Sequence, residues 1–315
     1  MSRVTIGIPV YNGQEFLESA VAAILTQTFA DFELVISDNC SSDSTPEICQ
    51  RLAESDSRIR IVRQKKNLGA IGNFNSLVHL ANGEYFKWAA CDDLMEPTFL
   101  QRCVEALDQD HSLSWCHCKS DMINSDGRSI REILPRDDLE LELDSAGNPQ
   151  WIGHPRRNFD SIDPIARFRG VILGTNWCVD SYGLIRLSAL KQTRLLQTFY
   201  GAEKVLMGEI SLVGRYYEVP ELLFYQRIHQ GASSYLSSAE SQAEFAVTRN
   251  KSPFLSSRLP ILKAHLDSIS HANLTLSQKL RGYGCVLEYL CQFKKLGDVM
   301  NRLVRGTGIG AGGKR

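Results

Sequence analysis

The chain opens with Val4-Thr5-Ile6-Gly7-Ile8-Pro9-Val10, an apolar run without helical spacing, stopped by the turn residues Asn12 and Gly13. Such a run predicts a buried strand. Apolar positions then recur three and four apart at Phe16, Leu17, Ala20, Val21, Ile24 and Leu25, which predicts an amphipathic helix. The alternation repeats. Phe32 to Ser37 is a second strand, followed by the polar stretch Asp38 to Asp43. Ser44, Pro46 and Glu47 then start a helix, with Ser44 as cap and Glu47 completing a capping box. Ile59-Arg60-Ile61-Val62 is a third strand, and a helix from about Ile71 to Ala81 leads to a break at Asn82-Gly83. Glu84 to Ala90 is a fourth strand, ending at Asp92-Asp93, and Pro97 opens a helix with Phe99, Leu100, Cys103, Val104 and Leu107 on one face. Strands separated by helices of this length imply βαβ units, hence an α/β fold with a mostly parallel sheet flanked by helices. Ligands bind beyond the carboxyl ends of the strands in such sheets, so Asp38 and Asp92 are expected to face one crevice.

The second half changes character. Between residues 130 and 165, Arg136, Asp137, Asp138, Glu140, Glu142 and Asp144 lead into Gly147-Asn148-Pro149 and His154-Pro155-Arg156-Arg157, a long polar excursion. Loops of that length are usually functional or disordered. From Pro253 to Val304 the pattern is helical again, and the glycine-rich tail 306–315 is expected to be flexible. The expected organisation is a catalytic domain over residues 1–240, divided into halves at 1–110 and 111–240, then a helical C-terminal extension over 241–305.

Composition narrows the class. With 43% hydrophobic and 23% charged residues, the 315-residue chain is ordinary globular protein, and its net charge of −1 offers no global attraction to nucleic acid. Nine cysteines, an odd number without repeated spacing, argue against a disulfide framework and for a reducing, cytoplasmic setting. Cys116-His117-Cys118 lacks the distant second pair of a zinc site and reads as part of a buried strand. The N-terminus lacks a leader pattern, and charge interrupts every long apolar stretch, so peripheral attachment at the inner face of a membrane is the only membrane contact left open.

Two adjacent aspartates at a strand end repel each other unless a cation lies beside them. A hard divalent ion, Mn²⁺ or Mg²⁺, suits Asp92 and Asp93, because it takes oxygen ligands and keeps phosphate oxygens and water. Capping of the following helix is the plainer alternative. Asp38 can accept a hydrogen bond from a nucleobase imide or a ribose hydroxyl, and Tyr11 at the end of the first strand can stack on a base.

Ile8-Pro9-Val10-Tyr11-Asn12, Gln27-Thr28-Phe29, Phe32 to Asn39 with Ser41-Ser42-Asp43-Ser44-Thr45, Asn67-Leu68-Gly69, Ala81 to Tyr85, and Asp92-Asp93 with Pro97 together resemble the nucleotide half of family 2 glycosyltransferases. The resemblance covers about residues 3–110, in the family's order and spacing. It implies a GT-A-like (Rossmann-like) fold and transfer of a sugar from a nucleotide-diphosphate donor, usually with inversion, in polysaccharide or glycoconjugate synthesis. The donor is then a UDP-, GDP- or dTDP-sugar and the acceptor a hydroxyl of a sugar, lipid-linked or other molecule. It also implies roles. Pro9, Tyr11, Asn12, Asp38, Asn67 and Asp92 are expected at the nucleotide; Asp92, with Asp93 and His229, at the metal; Arg227 and His229 at the diphosphate. Glu203, within Glu203-Lys204-Val205-Leu206, stands where the family carries its catalytic base, which is more often Asp. The family's acidic motif is usually Asp-x-Asp, and its first position here is Ala90 or Cys91, which puts the usual contact with ribose or uracil in doubt. That departure keeps alternative readings open, chiefly a nucleotide-sugar-binding protein without turnover. A dinucleotide oxidoreductase or a nucleotide-sugar pyrophosphorylase would need a glycine-rich loop after the first strand, where only Gly13 stands. Trp177 reads as a stacking platform for an acceptor sugar or, at least as well, as a buried core residue, and Lys294, Lys295, Arg302 and Arg305 read as a solvated basic face on packing helices in preference to a membrane contact.

Overall fold

The computed structural model describes residues 2–129, 142–143, 149–150, 159–175, 178–229 and 258–291. Much of the polar excursion, Asn176-Trp177, the four basic residues from Lys294 to Arg305 and the glycine-rich tail lie outside the described residues. Among the described residues no helix is long and apolar enough to cross a membrane.

Strands β1 (Val4–Val10), β2 (Phe32–Asp38), β3 (Ile59–Arg63) and β4 (Tyr85–Trp88) pair in parallel in the order β3-β2-β1-β4. Helices α1 (Leu17–Leu25), α2 (Thr45–Ser55) and α3 (Gly69–Leu80) make the crossovers, and α4 (Phe99–Gln109) follows β4. Every residue of β1 is buried, as a strand covered on both faces must be. Val4, Ile6, Ile8 and Val10 pack with α1, α2 and α4, while Val35 of β2 faces the other core with Leu77 of α3. Gly7 lets α3 approach: a Cβ there would sit 3.0 Å from that of Leu77.

Beyond β4 the sheet is mixed. Its eight strands run β3-β2-β1-β4-β9-β6-β10-β5. Strands β6 (Leu113–Ile123) and β10 (Arg215–Arg227) are parallel to each other, whereas β9 (Leu184–Arg186) lies antiparallel between β4 and β6. The short β5 (Leu94–Met95) runs antiparallel to β10 immediately after Asp93. Strands β7 (Glu142–Leu143) and β8 (Pro149–Gln150) form a separate antiparallel pair. Cys116, His117 and Cys118 are buried in β6, as their setting predicted, and the described residues hold no group of three metal-ligating side chains.

Helices α5 (Pro164–Gly174), α6 (Leu187–Leu190) and α7 (Ala202–Val213) cover the second half, and α8 (Arg258–His271) and α9 (Leu276–Leu290) pack onto it. The seam is apolar, with Phe168, Ile172, Ile269 and Val286 buried together. It also carries a buried charge network. Arg194 donates to Glu209 at 2.6 Å and to the Ala264 carbonyl at 2.7 Å, and Ser268 donates to the same carboxylate at 3.0 Å. One local expectation fails: Ser44 makes no side-chain cap. Its own amide donates to Gln14, and Asp43 accepts from the Thr45 amide instead, so the residue one step earlier takes the capping role.

Candidate active site

At the ends of β1 and β2, Val10 stands beside Asp38, and the chain turns sharply after each. Asn12 has a left-handed backbone (φ 52°), and its side-chain oxygen accepts from the Ser42 amide at 2.9 Å. Its amide donates to Ser41 Oγ at 2.9 Å, so the two turns are laced together. Asn67 does similar work below. Its Oδ1 accepts from Asn39 at 2.9 Å and from the Gly69 amide at 2.7 Å. Both asparagines, expected at the nucleotide, thus commit their oxygens to shaping the crevice, and their NH₂ groups take no part in these bonds. Tyr11 is 50% exposed at the rim.

Asp38 is buried. Its Oδ1 accepts from the Ser41 amide at 2.9 Å, whereas its Oδ2 accepts no hydrogen bond and lies 3.4 Å from Nε of Arg63. A cavity of about 270 Å³ opens there, lined by Asp38, Pro46, Glu47, Cys49, Gln50, Ile61 and Arg63. A buried carboxylate oxygen without a donor is costly in a folded protein unless a ligand or water supplies one. Arg63 was not singled out in the sequence, although its place at the last position of β3 puts it beside Asp38.

The second group assembles at the ends of β4, β6 and β10. Asp92 Oδ2 and His229 Nε2 are 2.9 Å apart, and each side chain is about one-fifth exposed. Asp93 turns the other way. It is 4% exposed and its Oδ1 accepts the Arg227 amide at 2.9 Å, so of the two aspartates it is Asp92 that pairs with His229. Burial first, and then the Asp92 charge, push its carboxyl well above the usual carboxylate range. Beneath it lies Lys87, fully buried, whose ammonium donates to the Tyr182 carbonyl and sits 4.5 Å from the Phe99 ring. Burial brings the Lys87 ammonium down to about 8. Arg227, expected at the diphosphate, is only 5% exposed and is occupied by the protein itself. It donates to the carbonyls of Asp92, Asn124 and Ser125 at 2.8, 3.0 and 2.7 Å.

Glu203 stands in the first turn of α7, directly after Gly201, whose left-handed φ of 84° turns the chain into the helix. No other residue donates to its carboxylate among the described residues, and burial raises its pKa. Neighbouring Lys204 points away and donates to the Thr175 carbonyl at 2.7 Å. Tyr182, in the 3₁₀ turn Val179–Tyr182, connects the two acidic centres. Its ring stacks near Phe224, and its hydroxyl is pushed well above its ordinary range by burial and then by the charges of Asp93, Asp92 and Glu203. No periodicity or turn signal marks Tyr182 in the sequence. The described residues therefore carry a cavity of about 270 Å³ with a carboxylate oxygen that accepts no hydrogen bond, a carboxylate–imidazole pair, and a glutamate of raised pKa to whose carboxylate no other described residue donates.

The family model described as Glycosyl transferase family 2 matches residues 5–156. Those residues form a segment of the family 2 glycosyltransferase kind. The chain is 26% identical over 207 residues to the GalNAc(5)-diNAcBac-PP-undecaprenol beta-1,3-glucosyltransferase of Campylobacter jejuni. The match covers 65% of the chain and about three-fifths (59%) of that relative's length. In fold it is similar to S. aureus TarS 1-349 in complex with UDP-GlcNAc, with a TM-score of 0.61 at 15% identity over 91% of this chain and 71% of that one. It is similar also to the mannosyltransferase PcManGT of Pyrobaculum calidifontis in complex with GDP-Man and Mn²⁺, with a TM-score of 0.52 at 17% identity over 95% and 80% of the two chains. The expected GT-A-like fold is thereby shown, with the C-terminal helices packed against it.

Proposed function

We propose that the chain is a divalent-metal-dependent, inverting glycosyltransferase that moves a sugar from a nucleotide diphosphate to an acceptor hydroxyl. What supports the reading is the Asp92–His229 pair, 2.9 Å apart beyond the ends of β4 and β10, in a chain whose residues 5–156 match the family 2 model. Asp38 receives the nucleobase, with Tyr11 stacking on it. Oδ2 accepts no hydrogen bond within the protein, so it is open to an N–H of the base, with Arg63 at hand for an adjacent carbonyl. An acceptor beside a cation suits the imide edge of uracil or thymine, an N–H flanked by two carbonyls. Pro9 is the penultimate residue of β1, one step before the position that pairs with Asp38.

Asp92 and His229 supply one carboxylate and one imidazole to a cation, and the diphosphate and water supply the rest. That donor set suits Mn²⁺ or Mg²⁺, the former being present in the Pyrobaculum mannosyltransferase structure. When bound, the ion neutralises charge developing on the departing diphosphate. Glu203 accepts the proton of the acceptor hydroxyl as that oxygen bonds to the anomeric carbon and the bond to the diphosphate breaks. Its raised pKa makes it a stronger base than an ordinary glutamate. One displacement with one base inverts the anomeric centre. The acceptor is a saccharide hydroxyl, free or lipid-linked, in polysaccharide or glycoconjugate synthesis, handled at the cytoplasmic side of a membrane by a peripheral enzyme.

The test pairs a donor screen by thermal shift with Mn²⁺ and an NMR assay of product configuration. UDP- or dTDP-sugars should stabilise the protein more than GDP-sugars, and the product linkage should be opposite to the donor's. Stabilisation without any transfer to a panel of acceptors would favour the non-turnover reading.

A further inference from the structure

Arg227 is a buried cation with no part in the proposed chemistry, and its guanidinium is turned onto the protein's own carbonyls. We propose that Arg227 is a positioning residue: with Phe16 it clamps three turns together and so aims Asp92 at His229. The inference rests on the reading of Asp92 and His229 as the cation site.

The donor count argues against a phosphate role. Nε donates to the Asp92 carbonyl at 2.8 Å, and Nη1 donates to the carbonyls of Asn124 and Ser125 at 3.0 and 2.7 Å. Only Nη2 is uncommitted. An arginine holds phosphate best through two adjacent N–H groups on one edge of the guanidinium, and both edges that include Nη2 already have their other nitrogen in use. What the three carbonyls belong to gives the positive half of the argument. The Asp92 carbonyl is the backbone of the candidate ligand itself. Asn124 and Ser125 form the turn after β6, held by the Asn124 side chain, which accepts from the amides of Asp126 at 3.1 Å and Arg128 at 2.9 Å. Phe16, from the loop after β1, lies 4.8 Å from the guanidinium and 4.8 Å from the His229 ring. The Arg227 amide meanwhile anchors Asp93 at 2.9 Å. Turns after β1, β4 and β6 therefore meet on one side chain, and Asp92 and His229 emerge next to it.

Lysine is the discriminating substitution. It keeps the charge but has a single nitrogen, which cannot span the Asp92 carbonyl and the 124–125 turn at once. We expect Arg227→Lys and Arg227→Met to behave alike. Both should weaken Mn²⁺ binding, read by titration with the nucleotide present, and lower kcat by about 10–100-fold, as displacement of a reacting group by an ångström does. Donor KM at saturating Mn²⁺ should stay near wild type. Hydrogen exchange should quicken in peptides covering residues 90–96 and 122–129 and stay unchanged over 45–63. Phe16→Leu, which keeps the apolar bulk and removes the ring face, should give a smaller rise over 90–96 and serves if the arginine variants do not fold. An Arg227→Lys enzyme close to wild type, beside an Arg227→Met enzyme with raised donor KM and unchanged exchange, would overturn the clamp in favour of a phosphate contact. If wild type binds no Mn²⁺ the cation-site reading falls by itself, and unchanged exchange in every variant sinks the clamp independently.

Discussion

Asp38 is the last residue of β2 and Asp92 lies in the turn beyond β4, and their surroundings are built by opposite means. Asp38 takes its hydrogen bond from Ser41, three residues on, and the turn that holds it is laced to Asn12 and Asn39 within the first seventy residues. Asp92 takes its partner His229 from 137 residues away, and its backbone is held by Arg227 at a similar remove. The surroundings of Asp38 are a local construction, while those of Asp92 exist only when the second half of the sheet has docked. A local site should lose affinity when one contact is removed, and a long-range site should lose rate.

The sharpest break is Glu203→Gln. It should lower transfer by about 10²–10⁴-fold, the usual worth of a general base, while donor binding by calorimetry stays within a few-fold. Near-normal turnover would remove Glu203 from the mechanism. The pH profile belongs to the same test. A base must be ionised to act, and burial raises the Glu203 pKa, so the acid limb of kcat/KM should lie above the ordinary glutamate value of about 4.3. Activity is lost as pH falls through that limb.

Next in size is Asp92→Asn, expected to cost about 10²–10³-fold in kcat at fixed Mn²⁺, in the range found when one charge-stabilising group is removed from a reacting centre. Partial recovery at high Mn²⁺ would support the ligand role, and an unchanged Mn²⁺ dependence would refute it. Asp38→Asn should be smaller and different in kind. Donor KM should rise by about 10–100-fold, the equivalent of one hydrogen bond to a charged group, with kcat near normal. A fall in kcat without a change in KM would erase the contrast between the two ends.

The smallest effect concerns Asp93. Its pKa is raised in the folded state, so its contribution to stability is present at low pH and is lost as pH rises through the folded value. Asp93→Asn keeps the acceptor for the Arg227 amide and removes the charge. The variant's Tm advantage should therefore grow with pH, at roughly 2–4 °C per kcal/mol for a chain of this size. A constant difference from acid to neutral pH would show that Asp93 ionises no less readily than a surface carboxylate.

This contrast also explains what the sequence disclosed. The apolar runs at 4–10 and 32–37 and the helical spacing at 16–25 come from burial of contiguous residues, so they were legible, as was the strand at 116–118. Asp38 and Asp92 were singled out as acidic residues following strand-like runs, and Glu203 through the family resemblance. What that pattern does not encode is which way a side chain turns. Asp92 and Asp93 are equivalent as letters, and only pairing of β5 with β10 sends one outward and the other onto the Arg227 amide. Nor does the pattern show that Arg227 donates to three backbone carbonyls. The antiparallel insertion of β9 and the placement of Tyr182 likewise depend on contacts far apart in the chain.

The position of β9 has a consequence for how the molecule is made. Four parallel strands are complete once Trp88 has left the ribosome, but β4 then stands at an open edge until Arg186 arrives to lie beside Tyr85. An exposed edge of this kind invites pairing with other chains. The nascent protein carries it for the 101 residues that separate the two partners, roughly 5–20 s at ordinary rates of synthesis. Whatever shields that edge during those seconds, whether a chaperone or speed of translation, governs how much of the protein reaches its working form.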